Sequence, residues 1–580
     1  MAIFRRLIGL ETEYSLHIPA ESVLTKNRPE LFARLTRYFQ HLLPIVPAQH
    51  MKEGFFHAGG GAVWFETERP ASGGGLVEGA TAECRSPRDL LAQQRAQDEL
   101  LADAAAAAFA GSEICLLKND RDAEDNIFGA QENYSADVAT GWRLGAWWLS
   151  LSLLLPVAVI TWALLWALAG MVICVTVVFA MAYLVMERFW KEPAILSKAL
   201  FGCEFEQLGR SSYTGSAGLE ASLSILTRVV AIPLAALLWG AIWLFAFVPQ
   251  RKRLLAFLVS RMIVGGSGMV DQAGRFRIAS KGMATNCLMG FGGLLMDRPI
   301  FTFGHFFKTA FADAWLSPRA YFQLYHRKQR IQLAIGDSNL CDRSEYLRVA
   351  TTALVLDCIE AGAMPQVPEL RRPIAALRKF AADPQLEATA EMKQGEPQTA
   401  IAIQRFYLDA CRRFVDREAE RNTEAFDVLE LWEETLDQLV DEPADLIGAI
   451  DWVTKQHLLE HAAGDTADYV VRKKIDLRYH ELSSEGYFAR IKEQGGTEEL
   501  LDQDELERAR RNPPAGTPAT ARARYIREFA GGDIPITANW QAIYLGSGAN
   551  KRVISLDSSS EEAPRRSPGK GGAIPWPSEE

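Results

Sequence analysis

The chain has 580 residues, and its 72 acidic against 62 basic side chains give a formal net charge of −10. A mildly acidic chain argues against nucleic acid as the main partner, because phosphate binding requires a clustered basic surface. The eight cysteines stand singly, with no CxxC pair, which favours a reducing compartment over a zinc site. Mean hydropathy is −0.03 although 23% of the residues are charged, so the chain must contain a strongly apolar segment.

The first 138 residues have the patterns of strands and short helices. Loose alternation predicts a strand over residues 4–18, and Ser86–Phe109 is a clear helix with Ser86 as N-cap and Pro87 at its first position. The other expected elements are a helix at Pro29–Leu43, strands at Ala62–Glu68, Ile114–Leu117 and Ile331–Ile335, a helix at Leu347–Ala361, and two or three helices within 400–462.

The apolar excess lies between about residues 144 and 248. Leu144–Met186 contains no charged residue, and Val229–Val248 is a second apolar run that ends at the basic residues 251–253. A single membrane span needs ~20 residues, so the first run is long enough for two crossings joined by a turn at 167–170. The basic residues mark a cytoplasmic flank, and we expect a multi-pass protein of the cell membrane with a cytoplasmic catalytic domain.

The number of crossings must be even if the residues before and after the apolar segment build one active site. One arrangement is a hairpin within 144–186, with 229–248 lying in the interface. The other is one long tilted or partly protruding helix, an external loop at 187–228, and a return span at 229–248. We favour the hairpin, because a helix of that length would extend about 65 Å, twice the hydrocarbon thickness.

The expected domains follow from these boundaries. Residues 1–138 and 251–465 form the catalytic domain, 139–250 form the membrane insertion, 466–555 form a small C-terminal domain, and 556–580 form a disordered tail rich in Ser, Glu, Pro, Arg and Gly.

Acidic residues form the most suggestive cluster. Glu11 and Glu13 are two residues apart on a predicted strand, so both carboxylates project from the same face. Further acids occupy strands or turns: Glu66, Glu68, Glu78, Glu83 and Glu132. Hard oxygen ligands from several strands suit Mg²⁺. On an ordinary sheet, however, a pair such as Glu11 and Glu13 more often faces solvent and has no function.

Two other groups have both a functional and a purely structural interpretation. Asp337 and Asn339 follow a predicted strand and either bind a ligand or cap the next helix. Arg522 and Arg524 form either a phosphate clamp or a solvated charged surface. Taken alone, each group favours the structural interpretation.

Together the motifs resemble the Pup ligase and Pup deamidase family, of the proteasome accessory factor A type. The motifs, in chain order, are GLETEY at 9–14, ATAEC at 80–84, KND at 118–120, GAQENY at 129–134, FLVSR at 257–261, GGSG at 265–268, IGDSN at 335–339, TTALVLD at 351–357, IQRFYL at 403–408, IDWV at 450–453, DLRYH at 476–480, and NPP with TARAR at 512–524. The resemblance covers nearly the whole chain outside 137–250 and the tail.

The resemblance implies an α+β fold like that of glutamine synthetase, with a curved antiparallel sheet that cradles ATP and Mg²⁺. It implies transfer of the γ-phosphoryl group to a glutamate carboxylate of a small Pup-like modifier, and then attack by a lysine amine of a target protein. Carried over by motif, Glu66 is the catalytic residue. The implied metal ligands are Glu11, Glu13, Glu83 and Glu132. The implied nucleotide-binding residues are Glu13, Asn133, Asp337, Asn339, Arg522 and Arg524.

This sequence also departs from the family pattern. Glu66 stands where the family has an aspartate and is one methylene longer, and Gln131 and Gln332 stand where histidines are usual. An aromatic stretch, Phe301–Tyr325, replaces an acidic segment. The family's deamidases carry a loop insertion between the positions of Glu13 and Glu66, and its absence here favours ligase chemistry, whereas the residues at 257–268 and 351–357 look more like the deamidase.

Three hypotheses follow. The first is a membrane-anchored ATP- and Mg²⁺-dependent ligase, whose partners are the modifier, lysine-bearing targets and membrane lipid. The second is a deamidase or isopeptidase that uses the same site. The third is a membrane scaffold whose nucleotide site has decayed.

Overall fold

The protein is described by a computed structural model over residues 3–18, 28–49, 53–66, 76–112, 114–188, 217–290, 297–418, 422–462, 468–548 and 551–556. Its contacts divide the chain into two compact units. Unit 1 comprises Met1–Tyr134, Ala256–Ala284 and Ile335–Glu580, and unit 2 comprises Ser135–Leu255 and Thr285–Ala334. The expected insertion at 139–250 falls inside unit 2, and the expected tail at 556–580 lies outside the described residues except for Leu556.

An antiparallel sheet forms the centre of unit 1. Its strands are β1 (Ile8–His17), β2 (Ile45–Pro47), β3 (Gly54–His57), β4 (Ala62–Glu66), β5 (Leu76–Ala80), β6 (Cys115–Leu117) and β7 (Ala130–Asp137). They run in the order β7–β1–β5–β4–β3–β2, and β6 pairs with the last residues of β1. The strands expected at 4–18, 62–68 and 114–117 are therefore present, with Glu68 outside the described residues.

Two helices, α1 (Arg28–Leu42) and α2 (Pro87–Ala108), cover one face of this sheet with the main hydrophobic core. Ser86 caps α2 as expected, since its side chain accepts the backbone N–H groups of Arg88 and Asp89. The core contains Tyr14, Phe32, Phe55, Phe65, Val77 and Leu101, which are at most 4% exposed. The even-numbered residues of β1 therefore face the core, and its odd-numbered residues face the other side.

The rest of unit 1 is mainly helical. The helices are Met262–Gly265, Ser280–Ala284, Asp342–Glu360, Pro373–Ala381, Ala400–Val415, Thr423–Asp441, Asp451–Ala462, Tyr469–Tyr479, Tyr487–Glu493, Gln503–Arg511 and Pro518–Phe529, with a 3₁₀ turn at Pro443–Leu446. The short strand pairs are Met269–Val270 with Phe276–Arg277 and Thr389–Ala390 with Gln398–Thr399. A small antiparallel sheet near the C-terminus consists of Ile536–Ala538, Ala542–Leu545 and Arg552–Ser555.

Unit 2 contains a second group of strands and the apolar helices. Cys287–Met289 pairs in parallel with Pro299–Thr302, which pairs antiparallel with Lys328–Gly336. In this group the pairing is therefore antiparallel except between Cys287–Met289 and Pro299–Thr302. The helices are Trp142–Glu187, Ala217–Phe245 and Val248–Ser260, the last of which continues into unit 1.

The favoured hairpin within 144–186 is wrong, because Trp142–Glu187 is one continuous helix of 46 residues. Gly170 lies between Ala169 and Met171, and a lone glycine costs a helix only ~1 kcal/mol relative to alanine, which is too little to make a turn. The alternative with a long helix and a second apolar helix agrees with the structure. Two helical stretches are long and apolar enough to cross a membrane by length and composition, Trp142–Val185 and Ile225–Phe245.

The aromatic stretch forms helical turns that pack against the long helix. Its turns are Gly304–Lys308, Thr309–Asp313, Ala314–Leu316 and Pro318–Tyr325. The indole N–H groups of Trp147 and Trp162 donate to the carbonyls of Leu324 and Ala310 at 3.0 and 2.8 Å. The Trp162 ring also meets the Tyr321 ring edge-on at 5.6 Å. This stretch is therefore bound to the apolar helix pair within unit 2.

Candidate functional site

An acidic face is created by the register of β1, β4 and β5, on the side of the sheet away from the hydrophobic core. Glu13 is paired with Glu78 and Glu11 with Ala80, while Glu78 is also paired with Trp64. Glu66 is two residues beyond Trp64 and therefore points to the same side. The register thus brings the expected residues Glu11, Glu13 and Glu66 to one face, together with Glu78.

Glu13 has the least satisfied carboxylate of this acidic face. It is 4% exposed, and its Oε2 atom has no hydrogen-bond partner among the described residues. The neighbouring Glu78 accepts the indole N–H of Trp64 at 2.5 Å. A buried carboxylate oxygen without a partner is costly, so this position suits a cation or a cationic side chain.

Lys281 brings a positive charge to this position. Its Nζ atom lies 3.8 Å from Glu13 Oε2, and the residue is 7% exposed. Gly129 leaves room for the Lys281 side chain, because a Cβ at this position would collide with Cε of Lys281. The φ of Gly129, +144°, also favours glycine. The acidic face is therefore bordered by a buried ammonium group.

Asp337 holds the backbone that carries Lys281. Its carboxylate accepts the backbone N–H groups of Ser267, Ser280 and Lys281 at 3.1, 3.0 and 2.9 Å. Burial raises the pKa of Asp337, and burial together with the charge of Asp337 raises the pKa of Asp120 well above its usual value. Asp337 is 2% exposed, so its direct role is to fix these loops.

Asn339 is part of a buried polar network. Its Nδ2 donates to Asp451 at 3.1 Å, while its Oδ1 has no partner among the residues that the structure describes. Its carbonyl accepts the ammonium of Lys118 at 2.9 Å, and Lys118 also donates to Asp98 at 2.7 Å. Neither Asp337 nor Asn339 caps the next helix, Asp342–Glu360, whose N-cap is Cys341. Their side chains instead bind neighbouring loops and Asp451.

Asn133 lies beside Glu11, whereas Glu132 lies on the other face. Asn133 is paired with Gly9, and its Nδ2 is 3.3 Å from Glu11 Oε1. Glu132 is paired with Leu10, so its side chain points towards the side that carries α2. Glu132 therefore lies on the other face of the sheet from Glu11 and Glu13, whereas a shared metal ion would require all three on one face.

Two arginines neutralise Glu132 in this position. Arg261 and Arg348 donate to its carboxylate at 2.7 and 3.2 Å, and Tyr134 donates at 2.6 Å. Burial alone would raise the pKa of Glu132, but the charges of the two arginines outweigh burial and hold that pKa below its ordinary value. Glu132 is therefore part of a buried structural ion-pair network.

Glu83 and Arg522 bind each other. The Arg522 guanidinium donates to the Glu83 carboxylate at 2.5 and 3.1 Å and to the carbonyl of Gly60 at 2.6 Å. It also lies over the rings of Phe56 and Trp540, 5.1 and 4.7 Å from their centroids. Arg522 is completely buried, whereas Arg524 is exposed. Arg522 therefore ties the helix Pro518–Phe529 to the segment after β5 through Glu83 and to the turn before β4 through Gly60.

The metal shell expected from sequence is only partly brought together. Among the described residues, no group of three or more His, Cys, Asp or Glu side chains is close enough to hold a metal ion. Glu11, Glu13 and Glu78 nevertheless share one face in adjacent register, and the unpartnered Glu13 oxygen is a hard ligand of the type that Mg²⁺ prefers. The donor chemistry of this set fits Mg²⁺, whereas Glu83 and Glu132 have arginine partners.

Sequence reasoning did not select Glu78 or Lys281 as site residues. Glu78 lies opposite Glu13 because β5 pairs with β1 in one particular register. The spacing of residues within β5 does not reveal that register. Lys281 reaches the sheet from a helix more than 260 positions along the chain from Glu13, and no local pattern indicates that contact.

Comparisons with known proteins agree with the fold. The sequence model of the family described as Pup-ligase protein matches residues 6–544. The Pup deamidase/depupylase of Mycobacterium tuberculosis strain H37Rv is 31% identical over 314 residues, which are 52% of this chain and 58% of that protein. The Pup–protein ligase of Acidimicrobium ferrooxidans is 31% identical over 321 residues, 54% of this chain and 67% of that protein.

A solved structure shares the fold. The complex between the prokaryotic ubiquitin-like protein Pup and its ligase PafA matches with a TM-score of 0.63 at 18% identity, over 95% of this chain and 89% of that one. A second structure, the ligase PafA in complex with ADP, matches with a TM-score of 0.57 at 19% identity, over 93% of this chain. The fold is therefore α+β as expected, and because the family's sequence model covers most of its length, the chain belongs to the Pup-ligase protein family.

Proposed function

We propose that the protein is an ATP- and Mg²⁺-dependent carboxylate–amine ligase that joins a glutamate carboxylate of a small Pup-like modifier to a lysine amine. The observation that carries this proposal is the acidic face, where Glu11, Glu13, Glu66 and Glu78 are aligned by strand register beside the buried ammonium of Lys281. Family membership supports it, and so do the relatives named Pup–protein ligase and the ADP complex of PafA.

The reaction has two steps. The γ-phosphoryl group passes from ATP to a carboxylate oxygen of the modifier, and ADP leaves. The lysine nitrogen then attacks the acyl carbon, the phosphate leaves with that oxygen, and an amide bond remains. Most of the acceleration in such transfers comes from positioning and from electrostatic stabilisation of the phosphates.

The residues of the acidic face divide the work. Mg²⁺, when bound, screens the phosphate charges, and Glu11, Glu13 and Glu78 would hold it. Glu66 takes the proton of the attacking amine as a general base. Lys281 supplies a positive charge next to Glu13, held in place through Asp337. In this proposal Glu83 and Arg522 stabilise the structure around the site, and Glu132 lies outside it.

We further propose that unit 2 anchors the enzyme in the cell membrane with two crossings. The long apolar helix and Ala217–Phe245 support this, because the most apolar stretch of the first is fully uncovered and that of the second is 28% buried. The backbone N–H of Phe247 donates to the carbonyl of Val138, so the chain leaves the helix pair at the end where it entered. Targets would then be proteins at the cytoplasmic side of the membrane.

The test uses the full chain purified in detergent, with ATP, Mg²⁺, a Pup-like modifier that ends in glutamate, and a lysine-bearing protein. We expect ADP release and a conjugate in stoichiometric amounts. We expect Glu66→Gln to abolish the conjugate and to limit ADP release to the first phosphoryl transfer. Glu53→Gln is the control, because Glu53 is exposed. ATP binding without ADP release or conjugate for any such modifier would contradict the proposal. If Glu66→Asp also brings no gain in ATP turnover, the result would favour the hypothesis of a membrane scaffold with a decayed nucleotide site.

The second candidate function is hydrolysis by the same site, as a deamidase or depupylase. The observation in its favour is that relatives named Pup deamidase/depupylase match at the same 31% identity as the ligase. A modifier that ends in glutamine, and a purified modifier conjugate, distinguish the two activities. Release of ammonia or of free target protein, without net ADP formation, would favour the hydrolase.

A further inference from the structure

Basic side chains are concentrated at one end of the apolar helix pair of unit 2. The three chain segments that meet there, 135–144, 246–255 and 326–334, contain seven Arg or Lys residues and a single acid, Asp137. At the opposite end, residues 186–188 and 217–228 contain two basic and two acidic residues. The asymmetry is therefore confined to the end where the chain enters and leaves the helix pair.

Backbone hydrogen bonds hold these three segments together. The carbonyl of Val138 accepts the N–H of Phe247, and the N–H of Val138 donates to the carbonyl of Arg327 at 2.8 Å. The indole N–H of Trp148 donates to the carbonyl of Tyr325 at 2.9 Å. The charges are thus parts of one surface, which we call the basic rim and define as Arg143, Lys252, Arg253, Lys328 and Arg330.

Two further arginines at this end have identified roles. Arg251 donates to the carbonyls of Ala246, Ile242 and Trp243 at 3.1, 3.2 and 2.7 Å, so it caps the C-terminus of the second apolar helix. Arg327 pairs with Asp137 at 2.7 Å. Asp137, the one acid in the three segments, therefore pairs with an arginine that is not part of the basic rim.

Aromatic side chains surround the same end. Trp142 is 70% exposed, and the guanidinium of Arg143 lies 5.2 Å from the centroid of its ring. Trp148 is 40% exposed, and the Tyr325 hydroxyl is 3.1 Å from Ser152 Oγ. Exposed tryptophans and cations next to an uncharged apolar helix are the composition of a membrane–water interface, where Trp and Tyr lie at headgroup level and Lys and Arg meet anionic lipids.

We propose that the basic rim binds the headgroups of anionic phospholipids on the cytoplasmic leaflet. This inference rests on the proposed membrane anchoring and adds the lipid class that the anchor selects. Arg143 is in the first turn of the long apolar helix, and Lys252 and Arg253 follow the end of the second apolar helix. A lipid whose chains lie against the helices would therefore bring its phosphate to the level of these cations. Lys252 and Lys328 are its most accessible members, because both are exposed.

The test measures the lipid preference of the full chain in bilayers. The protein is reconstituted into vesicles of phosphatidylcholine with increasing brominated phosphatidylglycerol or brominated phosphatidylcholine, and quenching of tryptophan fluorescence gives the relative affinity for each lipid. Each cation near the surface contributes about fivefold, so K252Q/K328Q should lower the preference for phosphatidylglycerol by about 25-fold. The control R188Q/R228Q removes two cations from the opposite end and should keep the preference.

Three results would overturn the inference. Equal quenching by both lipids in the unsubstituted protein would mean that the basic rim selects no headgroup, and so would an unchanged preference in K252Q/K328Q. An equal loss in R188Q/R228Q would indicate a general charge effect. Extraction by alkaline carbonate separates this inference from the anchoring: retention without lipid preference refutes only the basic rim, whereas release of the protein refutes the anchor and the rim together.

Discussion

The ion pair between Arg522 and Glu83 allows a strong prediction about what each residue does. Arg522 is completely buried, and the Glu83 side chain is 20% exposed. Breaking a buried pair costs about 3 to 5 kcal/mol because a charge remains without a partner. The partial exposure of Glu83 favours the lower end, so Arg522→Gln should cost about 3 kcal/mol, or roughly a 150-fold change in the local opening equilibrium.

Hydrogen exchange at the strands Ile536–Ala538 and Ala542–Leu545 measures this opening, because these strands pack with the helix that carries Arg522. We expect roughly 100-fold faster exchange in Arg522→Gln and in Glu83→Gln. The double variant should lose less than the sum of the two single losses, with a coupling above ~1.5 kcal/mol. Arg524→Gln, on the exposed side of the same helix, should change the exchange by no more than ~0.5 kcal/mol.

The opposite result would refute this reasoning. If Arg522→Gln leaves exchange unchanged and weakens ATP binding, Arg522 is a nucleotide ligand, as the family resemblance implies, and the pair with Glu83 is incidental. Equilibrium binding of ATP to the same four proteins, measured by calorimetry, completes the comparison.

Three further predictions concern other parts of the chain. Burial, followed by the charge of Arg522, lowers the pKa of His57 to about 3. Between about pH 6.5 and about pH 3 the unfolded chain therefore binds a proton at His57 that the folded chain does not bind, so stability is lost as the pH is lowered through this range. Thermal unfolding of His57→Gln should show a weaker dependence on pH. Glu132→Gln leaves the buried Arg261 without a countercharge, whereas Arg348 keeps its pair with Glu345, and it should destabilise the protein by about 3 kcal/mol. An unchanged melting temperature with an altered Mg²⁺ requirement would return Glu132 to the metal site. Cys174 is exposed on the long apolar helix, so in intact vesicles it should not react with a membrane-impermeant maleimide, whereas the cysteine of Lys252→Cys should react. Equal labelling of the two cysteines would contradict the membrane anchoring.

Local pattern predicts the elements of unit 1 well. Ser86 and Pro87 define the start of α2 without reference to the rest of the chain, since capping is a local hydrogen-bonding requirement. The spacing of Glu11 and Glu13 likewise fixes that both point to one side of β1, whatever the partner strands are.

The choice between the two faces of a strand cannot be made in this way. Asn133 and Glu132 are adjacent on β7, so they point to opposite faces, and the resemblance alone assigned both to the site. Only the pairing of Glu132 with Leu10 decides that Glu132 points away from the acidic face. The contacts of Arg522 with Glu83 and of Lys281 with Glu13 join distant parts of the chain, and no periodicity carries that information.

The error in the membrane segment has a different cause. A helix of 46 residues is longer than the hydrocarbon thickness, but it need not lie in hydrocarbon over its whole length. The aromatic turns at 304–325 contact the first half of the helix through Trp147 and Trp162. A long helix that is partly covered by protein is therefore compatible with the same apolar sequence. The length of the apolar run alone could not distinguish this helix from a hairpin.

The central claim is that the acidic face activates a carboxylate by phosphorylation. The most direct measurement uses a Pup-like modifier whose terminal glutamate carboxylate is labelled with oxygen-18, together with ATP, Mg²⁺ and a lysine-bearing protein. We expect the inorganic phosphate to carry one labelled oxygen for each conjugate formed, and Glu78→Gln to abolish both the phosphate and the conjugate. Conjugate formed with unlabelled phosphate, or labelled phosphate formed equally well by Glu78→Gln, would contradict it.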